Sequence, residues 1–378
     1  MRVAVLGAGY AGLTVARRLE RTLPEPVELV VVDDTGDHLL KHELHRAIRH
    51  PSIVDDLRIP LADLLDRARI RTERVTAVDP DAGVATFDDG ELEYDYGAVC
   101  LGADPDFHGI AGLEEHARPL NRPADADAIR TRFLEVCHDG GRAVVGGAGL
   151  SGIQVAGELA EVADAEGAAE RVEVVLLERE GTVAPGFPAA FRDAVQDELA
   201  ALAVDVWTDT AVTEATADAV ETDDGPLDYD HLVWTGGIRG SAAFGGDRPT
   251  VRPTLRLGDG TFVLGDAARV VDRDGDAVPA SAQSALGQAP IAARNIRALV
   301  DAALDGGEPG AFDPRLDRLA FEPLGWTVSV GDGAVASVGP TVLRGSAAKA
   351  VKATAGVRHL STIGRVREAL SVVGEELA

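Results

Sequence analysis

Short apolar runs and longer amphipathic stretches alternate from the first residues of the chain. Residues 3–6 are an uninterrupted apolar run of strand length, and residues 7–12 (Gly-Ala-Gly-Tyr-Ala-Gly) interrupt it. The apolar positions that follow recur at the three- and four-residue spacing of a helix face, at Leu13, Ala16 and Leu19. A second apolar run, residues 27–32, ends at Asp33. The pattern predicts a strand, a glycine turn, a helix and a second strand.

The glycine turn has the spacing of a dinucleotide-binding loop. Gly7 supplies the tight turn, Gly9 lets the backbone approach a pyrophosphate, and Gly12 lets the helix pack closely on the strand. The free N–H groups at the start of the helix then face the phosphates. Asp33 lies about twenty residues beyond the turn, where a carboxylate accepts hydrogen bonds from ribose hydroxyls. The start of the chain therefore predicts a dinucleotide site.

The same pattern occurs again in the middle of the chain. Residues 142–146 have the pattern of a strand, residues 147–152 read Gly-Ala-Gly-Leu-Ser-Gly, and residues 172–177 form a further strand pattern that ends at Glu178. One bound nucleotide cannot occupy two such sites, so the sequence predicts two dinucleotides, FAD and a nicotinamide cofactor. Glu178 favours NADH over NADPH because a carboxylate repels the 2′-phosphate, although the adjacent Arg179 leaves NADPH open.

Length and charge narrow the class of protein. A chain of 378 residues with 46% hydrophobic and 26% charged residues suits two or three folded domains. Its 36 basic and 63 acidic residues give a net charge of −27, which argues against nucleic acid as a partner. Lysine is rare, as in proteins of salt-loving organisms, and is found at Lys41, Lys349 and Lys352.

Cysteines and long apolar runs are equally scarce. Cys100 and Cys137 are too few for a disulfide framework or a four-thiolate metal site, which indicates a reducing cytoplasm. The sequence has neither an apolar run of about 18 residues, the length of a membrane-spanning helix, nor a secretory signal at its start. We therefore expect a cytoplasmic protein, with attachment to a membrane surface left open.

Several further segments resemble the flavoproteins with two dinucleotide-binding domains, a group that includes disulfide reductases, ferredoxin reductases and type II NADH dehydrogenases. Residues 99–103 resemble the strand that leaves the FAD half, residues 232–237 the return from the NAD half, and residues 262–266 the late FAD fingerprint. The resemblance implies an α/β fold with two Rossmann-like domains, the second inserted in the first. The implied domains are residues 1–110 and 238–323 for FAD, residues 111–237 for NAD(H), and a C-terminal domain of residues 324–378 that ends in an amphipathic helix.

The cysteine content decides which branch of this group the chain resembles. Disulfide reductases carry a cysteine pair beside the flavin, and sulfide:quinone oxidoreductases need cysteines in the second half of the chain, where none follows Cys137. What remains resembles a type II NADH dehydrogenase, in which residues 38–45 lie by the flavin and residues 279–288 start a helix over its pyrimidine edge. That helix is similar to the family's Ala-Gln-x-Ala-x-Gln motif on the quinone side. Gly287 stands where the second glutamine is expected, and Gln154 where the family carries a glutamate near the nicotinamide.

The glycine loops and the resemblance together imply specific cofactor contacts. For FAD the implied residues are Gly7, Gly9, Tyr10, Ala11, Gly12, Asp33, Asp34, Lys41, Ala103, Gly265, Asp266, Ala282 and Gln283. For NAD they are Gly147, Gly149, Leu150, Ser151, Gly152, Glu178, Gly236 and Gly237. Gln283 is also the candidate catalytic residue on the quinone side. No metal is expected, because His42, Glu43 and His45 lack the spacing of a helical zinc pair.

The C-terminal stretch combines positive charge with an apolar helix face. Six basic residues and no acid occur between residues 344 and 367: Arg344, Lys349, Lys352, Arg358, Arg365 and Arg367. Apolar residues recur at helical spacing, at Leu360, Ile363, Val366, Leu370, Val373 and Leu377. The pattern predicts a helix that lies on an anionic membrane. The alternative is a helix that docks on the protein's own acidic body or on the twin subunit of a homodimer.

The sequence therefore predicts a peripheral flavoenzyme on the inner face of the cell membrane. It would transfer a hydride from NADH to FAD and pass electrons to a quinone without pumping ions. Two alternatives stay open at this stage. One is a soluble NAD(P)H-dependent reductase of ferredoxin or another small carrier, and the other is a flavin-containing NADH sensor with negligible turnover.

Overall fold

The described chain divides into two compact units. A computed structural model describes residues 1–306 and 314–363, without the side chains of residues 355–362. The first unit consists of the described parts of Met1–Leu39, Arg58–Asp104 and Arg239–Pro323. The second unit consists of the described parts of Leu40–Leu57, Pro105–Ile238 and Leu324–Ala378. Residues 40–57 and the C-terminal segment therefore group with the NAD(H) half of the sequence-based division.

A parallel sheet forms the core of the first unit. The strands Arg2–Leu6 and Glu28–Asp33 are apolar and buried along most of their length, as is typical of a sheet covered on both faces. Their register places Gly7 beside Asp33, because the strand residues just before each of them are paired. Within the described residues the strand order is Thr261–Val263, Tyr96–Val99, Arg2–Leu6, Glu28–Asp33 and Arg69–Thr72.

Two long helices, Tyr10–Thr22 and Ala282–Leu304, pack on this sheet and on each other. The first of them buries the apolar face that the sequence spacing predicted. The other strands of the unit are Asp37–Leu39, Arg58–Pro60, Ala77–Asp79, Val84–Phe87, Gly90–Glu93, Thr250–Val251, Arg269–Val271 and Ala277–Val278. Its short 3₁₀ helices are Leu61–Asp63, Ala242–Phe244 and Gly265–Ala267.

The second unit repeats the arrangement of strand, glycine loop and helix. The strands Gly141–Gly146 and Val172–Leu177 pair in parallel from end to end, so Gly147 and Glu178 come to lie side by side. The helix Leu150–Ala165 follows the glycine loop. In the described chain the strand order of this parallel sheet is Arg118–Pro119, His231–Trp234, Gly141–Gly146, Val172–Leu177 and Asp205–Trp207.

The C-terminal part of the second unit is an antiparallel sheet followed by a helix. Its strands are Trp326–Val330, Gly333–Val338 and Thr341–Arg344, and the helix is Gly345–Thr362. The remaining helices of the unit are Lys41–Glu43 and Pro51–Ile53, both 3₁₀, and Arg46–Arg49, Val54–Leu57, Leu113–His116, Pro123–Asp139 and Ala189–Ala201. The remaining strands are Val212–Ala215, Ala219–Thr222 and Gly225–Asp228, with Ala103–Pro105 and Ile238–Gly240 where the chain passes between units.

Both units carry a glycine loop at the carboxyl end of a parallel sheet, between a buried strand and a helix. This is the place where Rossmann-like folds bind nucleotides. The predicted α/β class with two such domains is confirmed.

Candidate functional site

The first glycine loop has the geometry that its spacing predicts. Gly7 has φ +90°, a left-handed conformation that favours glycine, and its N–H donates to the Val32 carbonyl over 2.7 Å. A Cβ at Gly12 would overlap the Gly7 carbonyl oxygen, so only glycine permits this close packing. A Cβ at Gly9 would instead point into open space beside the start of the helix Tyr10–Thr22. The loop therefore leaves room for a phosphate group at the helix N-terminus.

Ala8, between the first two glycines, is held from both sides. Its N–H donates to Asp33 Oδ2 over 2.9 Å, and its carbonyl oxygen lies 2.9 Å from Nδ1 of the fully buried His38. A carbonyl oxygen only accepts, so Nδ1 of His38 carries the hydrogen. Asp33 Oδ1 also accepts from the N–H groups of Thr35 and Gly36, over 3.0 and 3.3 Å. The protein's own groups thus set the shape of the loop.

Gly265 and Asp266 lie at the same site. A Cβ at Gly265 would lie 3.2 Å from Ala11 Cβ and 3.8 Å from Ala285 Cβ, so this turn touches the first residues of both long helices. Asp266 Oδ1 is buried and has no hydrogen-bond partner among the described residues. Arg248 steadies the turn by donating from Nε to the Asp266 carbonyl over 2.7 Å. An orphaned carboxylate oxygen fits a ligand rich in hydroxyl groups, such as the ribityl chain of FAD.

Two glutamines of the helix Ala282–Leu304 have different surroundings. Gln288 is buried, and its Oε1 accepts a hydrogen bond from the Gly265 N–H over 2.7 Å. Gln283 lies in the first turn of the helix and is partly exposed. The sequence placed Gln288 one position from the expected second glutamine, and the structure shows that this side chain holds the Gly265 turn.

The second glycine loop repeats the geometry of the first. Gly147 has φ +94°, and a Cβ there would lie 2.6 Å from the Cα of Gly236. A Cβ at Gly152 would overlap the Gly147 carbonyl oxygen, and one at Gly149 would point into open space. The loop can therefore receive a second phosphate-bearing ligand, and its first glycine packs directly on the predicted NAD residue Gly236.

Ala148, between the first two glycines of this loop, is again held from both sides. Its N–H donates to Glu178 Oε2 over 2.8 Å, and the N–H of Ala184 donates to its carbonyl over 2.8 Å. Glu178 is buried, and its Oε1 accepts from the Glu180 N–H over 3.0 Å. Arg179 is exposed and lies 3.3 Å from the Glu180 carboxylate. The charge next to the loop is therefore the carboxylate of Glu178.

The other predicted cofactor residues have the following places. Asp34 is exposed beside Asp33, and Ala103 is buried. Lys41 belongs to the second unit, where its ammonium group donates to the side-chain oxygen of Asn121. The remaining predicted residues lie at the starts of three helices. Tyr10 and Ala11 begin the helix after the first loop, Leu150 and Ser151 begin the helix after the second loop, and Ala282 begins the helix Ala282–Leu304.

A buried charged cluster in the second unit was not predicted. Lys352 Nζ donates to Glu43 Oε2 over 3.0 Å and to Ser329 Oγ over 2.6 Å. The side chains of Lys352 and Glu43 are only 7% and 2% exposed. Burial alone would raise the pKa of the Glu43 carboxyl. The positive charge of Lys352 opposes this effect, with smaller contributions from His42, His45 and Arg46, and the pKa is lowered to about 2. The ion pair therefore stays charged inside the protein.

The contacts of Lys352 and Arg344 correct the prediction that both residues belong to a free basic surface. Lys352 is buried, and Arg344 donates from Nη2 to Asp197 Oδ2 over 2.7 Å. Ile363, from the predicted apolar stripe, is also buried. Lys352 thus joins the helix Gly345–Thr362 to Glu43 and Ser329 of the same unit, and Arg344 holds the strand end that precedes it. The side chains of Arg358 and Leu360 and all of Arg365, Val366, Arg367, Leu370, Val373 and Leu377 lie outside the description.

A second buried carboxylate, Glu158, lies in the helix Leu150–Ala165. Its Oε2 is 2.9 Å from Arg49 Nε, and Arg49 Nη1 is 2.7 Å from Asp332 Oδ1 and 3.6 Å from Glu161 Oε2. Burial raises the pKa of the Glu158 carboxyl to about 7, against the opposing effect of Arg49. Glu158 therefore titrates near neutral pH.

The structure offers neither a metal centre nor a redox dithiol within residues 1–306 and 314–363. Cys100 and Cys137 are free and buried, and burial raises the pKa of each thiol. His42 Nε2 lies 3.2 Å from Glu43 Oε1, so this histidine contributes to the charged cluster described above.

Two glycine loops on two parallel sheets define a protein that binds two dinucleotides. Residues 1–289 match the family described as pyridine nucleotide-disulphide oxidoreductase. The match covers more than half of the chain, so the chain belongs to this family. The resemblance inferred from the sequence is confirmed.

Relatives with assigned names cover most of the chain. It is 28% identical to the demethylphylloquinone reductase NdbB of Synechocystis sp. (strain ATCC 27184 / PCC 6803 / Kazusa), over 89% of this chain and 86% of that protein. It is 25% identical to a type II NADH:quinone oxidoreductase of Staphylococcus aureus (strain NCTC 8325 / PS 47), over 79% of this chain and 83% of that protein. The solved structure of NDH2 from Plasmodium falciparum in complex with NADH is similar in fold, with a TM-score of 0.82 at 14% identity over 99% of this chain and 97% of that one.

Proposed function

We propose that the protein is an FAD-dependent NADH:quinone oxidoreductase of the type II, non-pumping kind. The observation that carries this proposal is the duplicated loop geometry at Gly7–Ala8 and Gly147–Ala148. In each loop the first glycine is left-handed, and a Cβ at the third glycine would overlap the carbonyl oxygen of the first. A carboxylate accepts a hydrogen bond from the N–H of the alanine that follows the first glycine. Two such loops in one chain suit hydride transfer between a nicotinamide and a flavin. The quinone as final acceptor is supported by the names of the relatives.

The residues of the first unit fit FAD. The pyrophosphate would lie at the open side of Gly9, the adenosine ribose near Asp33, and the ribityl chain at the orphaned oxygen of Asp266. FAD, when bound, supplies the ring that accepts a hydride and passes electrons on. The protein orients the two cofactors and excludes water.

The residues of the second unit fit a nicotinamide dinucleotide, with NADH preferred. The open side of Gly149 has room for its pyrophosphate, and Glu178 lies at the end of the neighbouring strand. The Glu178 carboxylate accepts two backbone hydrogen bonds next to this loop, and a 2′-phosphate placed beside it would be repelled. The exposed Arg179, which lies against Glu180, leaves this repulsion in place.

On the acceptor side, Gln283 is the candidate residue. It lies in the first turn of the helix Ala282–Leu304, and Ala285 of the same turn would lie 3.8 Å from a Cβ at Gly265. Gln288 binds the Gly265 N–H through its oxygen, so we assign it to the FAD side and leave the quinone contact to Gln283.

The test is a steady-state assay of the protein purified at high salt. We expect a yellow preparation that retains FAD and oxidises NADH when a soluble quinone analogue is added. Asp266→Ala should lose FAD, whereas the matched control Asp274→Ala, at an exposed aspartate of the same unit, should keep it.

Three outcomes would contradict the proposal. A folded, colourless protein that cannot be reconstituted with FAD would exclude a flavoenzyme. NADH oxidation with ferredoxin or another small carrier, but not with a quinone, would identify a soluble reductase. Bound FAD and NADH with negligible turnover would identify a sensor.

We further propose that the C-terminal segment attaches the protein to an anionic membrane surface. No helix in the described part of the chain is long and apolar enough to cross a bilayer. Arg344 and Lys352 bind acidic residues of the second unit, so we assign attachment to the remaining basic residues, Lys349, Arg358, Arg365 and Arg367, and test the last three. Each basic residue near an anionic leaflet contributes about 1 kcal/mol at moderate salt.

Flotation with anionic vesicles at low salt tests this attachment. The variant with glutamine at Arg358, Arg365 and Arg367 should lose most vesicle binding and keep NADH-dependent flavin reduction. A matched variant with glutamine at the exposed residues Arg273, Arg294 and Arg315 should bind vesicles as the wild type does. Equal flotation of the wild type and the C-terminal variant would leave docking on the protein as the role of the segment.

A further inference from the structure

His108 lies in a loop where its backbone is held in an unusual conformation. It has φ 53°, a left-handed value that is uncommon outside glycine, although asparagine, aspartate and histidine adopt it more often than other residues. Its N–H donates to Asp106 Oδ1 over 2.8 Å, and Asp106 Oδ2 lies 3.4 Å from His108 Nδ1. The contacts of Asp106 with the His108 backbone and ring therefore help to fix the position of the imidazole.

The ring of His108 is bonded to the turn that follows the strand His231–Trp234. Its Nε2 lies 3.0 Å from the Gly236 carbonyl oxygen and, because a carbonyl only accepts, Nε2 is the donor. A Cβ at Gly237 would lie 2.6 Å from the same nitrogen, so the ring also covers the next residue of the turn. His108 therefore touches both glycines that the sequence assigns to NAD.

Two further hydrogen bonds join the same loop to this turn and to Trp234, the last residue of the strand before it. The Asp106 N–H donates to the Gly237 carbonyl over 3.0 Å, and Trp234 Nε1 donates to the Asp106 carbonyl over 2.8 Å. The His108 and Trp234 rings meet edge to face, with centroids 6.4 Å apart. Two hydrogen bonds to the turn, with one bond and one ring contact to Trp234, thus hold the turn from one side.

On its other side this turn supports the second glycine loop. The Thr235 hydroxyl lies 3.0 and 2.9 Å from the carbonyl oxygens of Gly146 and Gly147, and its single hydrogen is shared between them. Gly147 itself packs on Gly236, where a Cβ would lie 2.6 Å from the Gly236 Cα. A displacement of the turn would therefore move the loop that receives the dinucleotide.

We infer that His108 is a positioning residue for NADH, which holds the Gly236–Gly237 turn through its Nε2 hydrogen bond. The inference rests on the proposed function, because that function is what places a nicotinamide dinucleotide at this loop. It concerns the affinity of the site for NADH, whereas the transfer of the hydride belongs to the cofactors.

The test compares two replacements of His108 in the full FAD-loaded protein. His108→Asn tolerates the left-handed backbone but is too short to reach the Gly236 carbonyl, so it removes the bond together with the ring contact to Trp234. Both variants lack the ring, so the difference between them reports the bond. His108→Gln places an amide N–H near the position of Nε2 and should restore it. We expect His108→Asn to raise the Kd and KM for NADH about three- to ten-fold, as the loss of one hydrogen bond does, with less change in the limiting rate of flavin reduction.

The matched control is His138→Asn, at an exposed histidine of the same unit, and it should bind NADH as the wild type does. Binding is followed directly by NADH fluorescence, and transfer by rapid-mixing reduction of the flavin. Wild-type affinity in His108→Asn, or an equal loss in His108→Gln, would overturn the role of the Nε2 bond. A wild type that binds NADH but does not reduce FAD would contradict the proposed function and leave the binding comparison intact.

Discussion

His38 donates from Nδ1 to the carbonyl oxygen of Ala8 over 2.9 Å, inside the first glycine loop. The second loop makes the equivalent bond with a backbone N–H, from Ala184 to Ala148 over 2.8 Å. The first site thus depends on a side chain where the second uses the main chain. Because His38 is fully buried, no water can replace its bond without rearrangement.

Replacing His38 with phenylalanine should weaken FAD binding about ten-fold or more. The substitution keeps a buried ring but leaves the Ala8 carbonyl without its donor, which costs about 1–3 kcal/mol. His38→Asn, whose amide nitrogen takes the place of Nδ1, should retain more of the affinity. The fluorescence of FAD released on dilution measures both. Unchanged FAD affinity in His38→Phe would show that the carbonyl needs no donor from the side chain.

Replacing Glu178 with alanine should relax the preference for NADH over NADPH. The variant lacks the anion that repels the 2′-phosphate of NADPH. NADH, in turn, loses a hydrogen bond to a charged acceptor, which is worth roughly 1.5–3 kcal/mol. We expect the ratio of kcat/KM for NADH to that for NADPH to fall by about ten-fold. Glu178→Gln removes the charge but keeps an oxygen that accepts from the Ala148 N–H. This variant therefore distinguishes the effect of the charge from the effect of the loop's shape. An equal loss with both cofactors would assign Glu178 to loop shape alone.

Replacing Lys352 with methionine should destabilise the protein by about 3–5 kcal/mol. The buried carboxylate of Glu43 would lose its main opposite charge while it remains out of water. Adding Glu43→Gln to Lys352→Met should recover part of the loss. Lys349→Met, on the same helix, is the control and should change stability by about 0.5 kcal/mol or less. Denaturant unfolding at fixed salt measures all four proteins. A small loss in Lys352→Met would mean that Glu43 reaches water or another partner.

Glu158 should make stability depend on pH near neutrality. Burial raises the pKa of its carboxyl to about 7, above the ordinary value. A raised pKa contributes stability that is complete below the ordinary carboxyl pKa and is lost as pH rises through about 7. The difference in free energy of unfolding between Glu158→Gln and the wild type should therefore shift in favour of the variant as pH rises from 5 to 9, by roughly 3 kcal/mol at most. The shift would be observed as a rising Tm of the variant relative to the wild type. A Tm difference that stays constant over this range would contradict the raised pKa.

The glycine loops were predictable because each depends on neighbours in the chain. A left-handed turn at Gly7 and close packing at Gly12 are properties of residue type and spacing, and so is an acid at the end of the next strand. The same holds for Gly147 and Glu178 in the second unit. Parallel register then brings each acid beside its loop without further information.

The partners of the charged and imidazole side chains could not be predicted in this way. The sequence pattern counted Lys352 with a surface of basic residues, whereas the structure buries it against Glu43, 309 residues away along the chain. His108 carried no sequence signal, and its partner Gly236 is 128 residues away. His38 was noted only as part of a segment beside the flavin, and its acceptor is a backbone atom.

The sequence by itself thus determined the fold class, the two nucleotide loops and the type of residue at each loop position. These follow from the period of apolar residues and from the conformational freedom of glycine, which act over a few residues. Only the tertiary structure decided which donors meet Ala8 and Gly236, and which acidic residues neutralise Arg344 and Lys352. A hydrogen bond or ion pair depends on distances of a few ångströms between groups far apart in the chain, and only the folded backbone sets those distances.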